Sequence, residues 1–330
     1  MRPRQTRMIW VKGHNGHRGN EEADKLAGAA VRKDKASYVN LTPPPELNVT
    51  GAKLSKVTQA IAYKAIMMQK SSADSMYRKR TDRNLMRIKN CTEDMFGYLP
   101  TSEAIWKSIR HKDFELKIQI FLWKAIHEAY WIGDRWTNSN MRQELQERAV
   151  CQVCGEVDDM NHILTKCQSP GQELVWKLAG ELWNSKNTNI QWRDLTIGDI
   201  LGCGLARIKG QESQKPLVGQ ARFWKLLVAH SALLIWALRC ERVINNAGRP
   251  FPEDVVRNRW IKIMNGRLEL DRNMTSARYE KRALSKRLVL QTWKGVLLNE
   301  GRLPKDWTDE RIDGVLVGIT GSDRDESGVG

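Results

Sequence analysis

At 330 residues with 41% hydrophobic side chains, the chain is long enough for two domains and can fill a packed core, which excludes a disordered polypeptide. Its 54 Lys and Arg against 38 Asp and Glu give a net charge of +16, the balance of a polyanion binder, although a solvated basic surface without a partner gives the same count. No Gly-x-x-x-x-Gly-Lys loop, nucleophile elbow or dinucleotide fingerprint occurs, so nucleotide hydrolysis and hydride transfer have no support.

The first residues, MRPRQTRMIWVKGH, are basic and lack the apolar run of a signal peptide. The longest apolar run, Leu226 to Leu238, is interrupted by His230 and Ser231 and is too short for a bilayer span. Six dispersed cysteines do not form the pattern of a secreted disulfide scaffold. Together these features imply no membrane partner and a reducing, intracellular setting, nucleus or cytoplasm.

Met8 to Lys12 is a β-branched and aromatic run that reads as a strand. A glycine-rich loop with His14 and His17 follows. Asn20 is a good N-cap, Glu21 and Glu22 suit a first helical turn, and the helix continues through Val31 with Asp24 one turn in. A carboxylate that holds a divalent ion beside a loop imidazole that moves a proton is a layout for metal-dependent phosphodiester chemistry.

Trp10-Val11-Lys12-Gly13-His14 and Gly19-Asn20-Glu21-Glu22-Ala23-Asp24-Lys25-Leu26-Ala27 resemble the last strand, loop and helix of type 1 ribonuclease H domains, which cleave the RNA of RNA–DNA hybrids. The resemblance implies that His14 assists proton transfer or product release and that Asp24 is the last of four carboxylates holding Mg2+ or Mn2+. Lys12 and Arg18 flank them as nucleic-acid contacts. The family's first three acidic ligands precede this strand, and only seven residues precede Met8. The chain by itself is therefore expected to be catalytically incomplete, a fragment or a decayed domain.

Residues 33–50 read as a linker, charged at first and extended around Pro43, Pro44 and Pro45. From 51 to 99 the pattern is helical and basic: Leu54, Val57, Ile61 and Ala65 fall at helical spacing, and Arg78, Lys79 and Arg80 head a cationic cluster suited to phosphates. A solvated helix face or a nuclear-import signal reads equally well. Residues 100–250 form a central helical domain. Ile118 to Tyr130 is a dense apolar helix in which His127 is read as a satisfied histidine, and Ser169-Pro170-Gly171 breaks the chain before a helix at Leu174 to Trp183. The 13 tryptophans recur at helical intervals, which argues core packing before base stacking.

Within this domain Cys151, Cys154, His162 and Cys167 follow the spacing Cys-x2-Cys-x7-His-x4-Cys. This is a complete tetrahedral ligand set for Zn2+, with Gly155 free to turn the chain. Four protein ligands leave no open position, so the ion is structural. The competing reading is a redox Cys-x-x-Cys or buried thiols, which require no downstream His-x4-Cys.

Phe121-Leu122-Trp123-Lys124-Ala125, the Cys-x2-Cys-Gly knuckle, Asn161-His162-Ile163-Leu164, Cys167 and Leu182-Trp183 resemble the zinc-binding domain that follows the polymerase in non-LTR retrotransposon reverse transcriptases, over residues 104 to 184. Leu233 to Asn246 fits the Trp-rich helix and Arg-Cys-Glu-Arg turn that follow it. With Gly314 to Ile319, the chain looks like fungal retroelement-derived proteins with a ribonuclease H domain.

The expected fold is mainly α. A strand-plus-helix remnant of an α/β ribonuclease H fold (1–32) leads through the linker and basic arm to a helical domain with a small zinc site (100–250), C-terminal helices (251–320) and a disordered tail (321–330). The expected partner is nucleic acid, an RNA–DNA hybrid or RNA. The alternative to the nuclease reading is a non-catalytic, zinc-containing nucleic-acid-binding module.

Overall fold

The computed structural model describes residues 11, 13, 16–36, 38, 40, 42, 54–73, 79–137, 141–186, 190–211, 214–246 and 248–318, without the side chains of 54 and 69–73. Of the strand expected at Met8 to Lys12 only Val11 is described, without strand pairing, and the tail from Gly321 and 11 of the 18 linker residues lie outside the described residues. Described residues are mostly helical, and their only strand pairing consists of isolated bridges. Two units divide the chain, 1–75 and 76–330.

The first unit contains α1 (Arg18–Val31) and α2 (Gln59–Ala73). α1 begins earlier than its sequence suggests: His17 is the N-cap, its carbonyl accepting from the amides of Asn20 and Glu21, so Asn20 lies inside the helix. α1 has no buried residue. α2 starts only at Gln59, so Leu54, in a 3-10 turn, and Val57 do not share a helical stripe with Ile61; Ile61, Tyr63 and Met68 are exposed.

In the second unit α3 (Lys79–Phe96) is amphipathic, with Leu85 and Ile88 buried, and it packs on α8 (Ile197–Leu201). The basic stretch expected at 51–99 is thereby shared between the two units. α4 (Ser102–Ile109) starts at Thr101, whose hydroxyl accepts from the Ala104 amide, and buries Ile105 and Ile109. α5 (Leu116–Ile126) is fully enclosed on one side but ends at Ile126, four residues before Tyr130, because Glu128 takes φ +46° and turns the chain. The short α6 (Gln143–Gln146) precedes the knuckle, and α7 (Gln172–Asn184) follows Gly171 at φ +121°.

The centre of the unit is α9 (Val218–Ile244), 27 residues long and continuously helical through Arg239-Cys240-Glu241-Arg242, where a turn is expected. It is long and apolar enough to cross a membrane by length and composition, unlike the shorter run legible in sequence, yet most of it is enclosed by this protein's own helices. It packs against α5, α7, α8, α10 (Glu253–Asn273) and α11 (Lys286–Trp293). Gly219 permits a close crossing with α11: a Cβ there would lie 2.5 Å from the Gln291 carbonyl group.

Tryptophans fill this core, as their spacing suggests. Trp183, Trp224, Trp260 and Trp293 are fully buried, and Trp183 meets Trp224 edge-on at 4.9 Å between centroids. His127 is satisfied, its Nδ1 3.0 Å from Thr81 Oγ1 and its ring stacked on Trp106. Residues 251–318 close the same core: Val256, Trp260, Met264 and Leu268 line α10, and Leu297 pairs with Val317.

Candidate zinc centre and arginine-lined cleft

The knuckle is a tight hairpin. The Cys151 amide donates to the Glu156 carbonyl at 2.8 Å and the Gly155 amide to the Cys151 carbonyl at 2.8 Å, while Val150 bridges Val157. Gly155 sits at φ +72° with open space where a Cβ would stand, so backbone conformation alone selects glycine there.

His162 and Cys167 are five residues apart, which on a regular α-helix leaves them about 140° apart around the axis. The segment solves this by winding His162–Lys166 as a π-helical turn, in which the Cys167 amide donates to the His162 carbonyl at 2.8 Å. Asp159 starts the turn by accepting from the His162 amide at 2.7 Å, and Ile163 and Leu164 anchor it in the core.

All four predicted ligands converge: one ligand atom from each of Cys151, Cys154, His162 and Cys167 lies within 4.8 Å of every other. Sulfurs held 2.3 Å from a tetrahedral zinc lie about 3.8 Å apart. Here Cys167 Sγ is 3.9 Å from Cys151 Sγ and 3.8 Å from Cys154 Sγ, far from disulfide contact. His162 Nε2 is buried with no hydrogen-bond partner among the described residues, an unmet valence that a metal would satisfy.

The thiols' electrostatics point the same way. Burial alone would push the Cys151 thiol up, but the adjacent His162 ring, the amides of Val153 and Cys154 and the Arg242 guanidinium bring it down to about 6. Burial, only partly opposed by the Ser169 amide, and the neighbouring sulfurs of Cys151 and Cys154 push Cys167 up to about 12. Sulfurs this close compete for protons unless a cation takes their place, which a divalent ion does. The residues therefore fit zinc, which would act as a crosslink between knuckle and π-turn.

α9 clamps this lobe. Arg239 Nε donates to Asp158 at 2.9 Å, with its Nη2 on the same oxygen, and Arg242 Nη2 lies 3.7 Å from Cys151 Sγ. Glu241 faces the other way and pairs with Arg259 of α10. The Arg-Cys-Glu-Arg sequence is thus a brace between three elements, a role its spacing as an i, i+3 pair could have suggested but which needs Asp158 to be located in space.

Beside the zinc lobe lies a cleft of about 250 Å³, lined by Arg80, Arg83, Arg87 and Arg135 together with Asp159 and Asn161. Arg80, Arg83 and Arg87 share one face of α3. Glu128 organises the wall: its carboxylate accepts from Asn84 at 3.3 Å and lies 3.7 Å from Arg80, and its carbonyl accepts from Arg135. Arg83 and Arg87 form no ion pair among the described residues, and Arg87 donates to the neutral Asn84 side chain at 3.2 Å.

The other predicted residues are scattered. Asp24 is exposed on α1, and Arg18 on the same helix pairs with Glu22 at 2.9 Å. Lys79 is exposed at the start of α3 and Arg80 stands at the mouth of the cleft. Lys12, His14 and Arg78 lie outside the described residues. Arg83, Arg87 and Arg135 complete the cleft without having been singled out as a set, since Arg135 comes from a different segment.

Residues 84–176 match the family model described as zinc-binding in reverse transcriptase, and residues 1–32 match RNase H. No curated protein and no solved structure gives a significant match. The chain thus carries a reverse-transcriptase-type zinc-binding segment behind a ribonuclease H segment, a combination consistent with origin in a retroelement.

Proposed function

We propose that this chain is a retroelement-derived nucleic-acid-binding protein in which zinc, held by Cys151, Cys154, His162 and Cys167, fixes one wall of a cleft that takes the phosphate backbone of RNA or of an RNA–DNA hybrid. The observation that carries the reading is the convergence of Arg80, Arg83, Arg87 and Arg135 on one cleft directly beside the zinc lobe. Guanidinium forks suit phosphate oxygens, and although Glu128, Asp134 and Asp159 share the lining, only Arg80 of the four arginines forms an ion pair with a carboxylate among the described residues. The three ligand thiols must stay reduced, which fits an intracellular protein.

Binding of a labelled 20-mer RNA, DNA or hybrid tests this. Affinity is expected to fall steeply with salt, and Arg83→Ala/Arg87→Ala is expected to weaken binding at least tenfold and to reduce the salt slope by about two. Unchanged affinity in that variant overturns the cleft reading.

A second reading concerns the first unit. Asp24 is exposed on a helix within the segment that matches RNase H, where it would bind Mg2+ or Mn2+ with His14 as proton carrier. Two-metal hydrolysis needs more carboxylates than one, so the chain alone is expected to bind hybrid without cutting it. Hybrid cleavage that disappears in Asp24→Asn would reverse that expectation.

A further inference from the structure

A separate cavity of about 400 Å³ opens at the amino-terminal end of α9, in the size range of small-ligand sites. Lys225, on its wall, is about 25 Å along the helix from Arg242 at 1.5 Å per residue, so this cavity is distinct from the zinc lobe. Most of its lining lies outside both segments matched by family models.

The wall is mostly apolar, built by Ile208, Leu217, Val218, Ala221 and Leu288, and Val218 is left 55% exposed. Around this slot stand Lys112, Arg207, Lys209 and Lys225. Asp113 is the carboxylate among the lining residues, and both its oxygens are engaged: Oδ1 accepts from Arg222 Nε at 2.9 Å and Oδ2 lies 3.1 Å from His111 Nδ1. Lys112, Arg207 and Lys225 form no ion pair with a carboxylate among the described residues.

Two of these cations are held in place. The Arg207 guanidinium lies 4.0 Å over the Tyr98 ring, whose hydroxyl donates to the Leu205 carbonyl at 2.6 Å. Lys225 rises from α9 half-buried, and burial pulls its pKa below the usual lysine range. A bound anion would relieve that desolvation cost. A purely structural cavity has no need of unpaired cations, and a merely basic surface has no apolar slot. Together they select a ligand with an apolar body and an anionic group.

We propose that this cavity binds a nucleoside monophosphate unit, its base against Ile208, Leu217 and Leu288 and its phosphate between Lys112, Arg207 and Lys225. The choice of a nucleotide among anions with an apolar body rests on the nucleic-acid reading above. The unit has two sources, a free nucleotide or the 5′-phosphorylated end of a strand.

The test uses the full chain purified with zinc. Calorimetric titration with AMP is expected to saturate one site, with adenosine and inorganic phosphate each binding at least tenfold more weakly. Lys225→Ala and Arg207→Ala should each weaken AMP at least tenfold, and Ala221→Phe, which fills the slot and leaves every charge in place, should abolish binding. If Ala221→Phe fails to fold, the two cation variants still decide. Competition by 12-mer RNAs separates the sources: a 5′-phosphorylated strand that displaces AMP at least tenfold better than its 5′-hydroxyl twin identifies the strand end, failure of both strands to displace AMP identifies the free nucleotide, and equal displacement by both overturns the monophosphate-specific site. Absence of AMP binding at millimolar concentration, or affinity unchanged in both cation variants, overturns the proposal. Arg83→Ala/Arg87→Ala keeps the two readings apart, since it should leave AMP affinity within twofold whatever it does to long RNA.

Discussion

At its carboxyl-terminal end α9 reaches the candidate zinc lobe with Arg239 and Arg242, whose partners are Asp158 and Cys151. At its amino-terminal end Arg222 gathers Asp113, Asp271 and Thr292 from three other parts of the chain, and Arg267 and Trp293 Nε1 complete the shell around Asp271. Both ends bury charge beside apolar helices, yet they specify the fold differently. The candidate zinc lobe is a local device: four converging ligand residues within 17 residues, a set already readable from their spacing. The Arg222 network is a topological device, because its members meet only when the segment before α5, α9, α10 and α11 are all in place. Burial raises the cost of its carboxylates' charge, but the guanidiniums beside them, with His111 at Asp113, hold both Asp113 and Asp271 below the ordinary carboxylate range.

Breaking each device should therefore give different damage. The largest effect is expected at the metal. In isolated zinc modules the ion supplies on the order of 10 kcal/mol of folding free energy. Cys154→Ser or chelation should strip hydrogen-exchange protection from residues 149–168 and lower Tm by about 10 °C or more, while the α3–α8 pairing keeps its protection. A lobe that stays protected without metal would show that Arg239 and Arg242 suffice to hold it.

Asp271→Asn comes next. It leaves Arg222 and Arg267 short of a counter-charge at a fully buried site, a change worth about 3–5 kcal/mol. Urea unfolding should record a lower midpoint at unchanged slope, with loss spread through the whole unit and not confined to one lobe. A cost under about 1 kcal/mol would demote the network from keystone to ornament.

The same end of the molecule carries a pH signature. Burial, with the neighbouring Arg267, holds His230 down to about 3 against an ordinary 6.5. The unfolded chain takes up this proton below pH 6.5 while the folded chain does not, so stability falls as pH drops from 6.5 toward 3, at up to about 1.4 kcal/mol per pH unit. His230→Phe should flatten the slope between pH 6.5 and 4.5, above the window where Asp113 and Asp271 begin to titrate. The smallest expected effect returns to the knuckle: Gly155→Ala forces a Cβ into the left-handed region at about 1 kcal/mol, read as a modest loss of zinc affinity with the Arg222 network untouched.

The site was legible where chemistry is written in short spacings. Cys151, Cys154, His162 and Cys167 come together as their order implies, and Gly155 turns the chain after Cys154, at φ +72°. The π-turn was not legible, because helical periodicity cannot distinguish wider winding over five residues. Helix starts moved for local reasons: His17, not Asn20, caps α1, and α2 begins only after Val57. Trp spacing announced a core for Trp183, Trp224, Trp260 and Trp293, while Trp123 and Trp131 stay about half exposed.

Sequence by itself determined the four candidate metal-ligand residues, the mainly helical class and the basic character of the chain, all of which depend on residue identity and separations of a few positions. Tertiary structure alone decided that Arg83, Arg87 and Arg135 share a cleft, that Arg239 meets Asp158 across 81 positions of chain, and that Arg222 meets Asp271 across 49. The physical reason is that a buried cation is tolerable only opposite its counter-charge. Which distant carboxylate fills that place is set by how the helices pack.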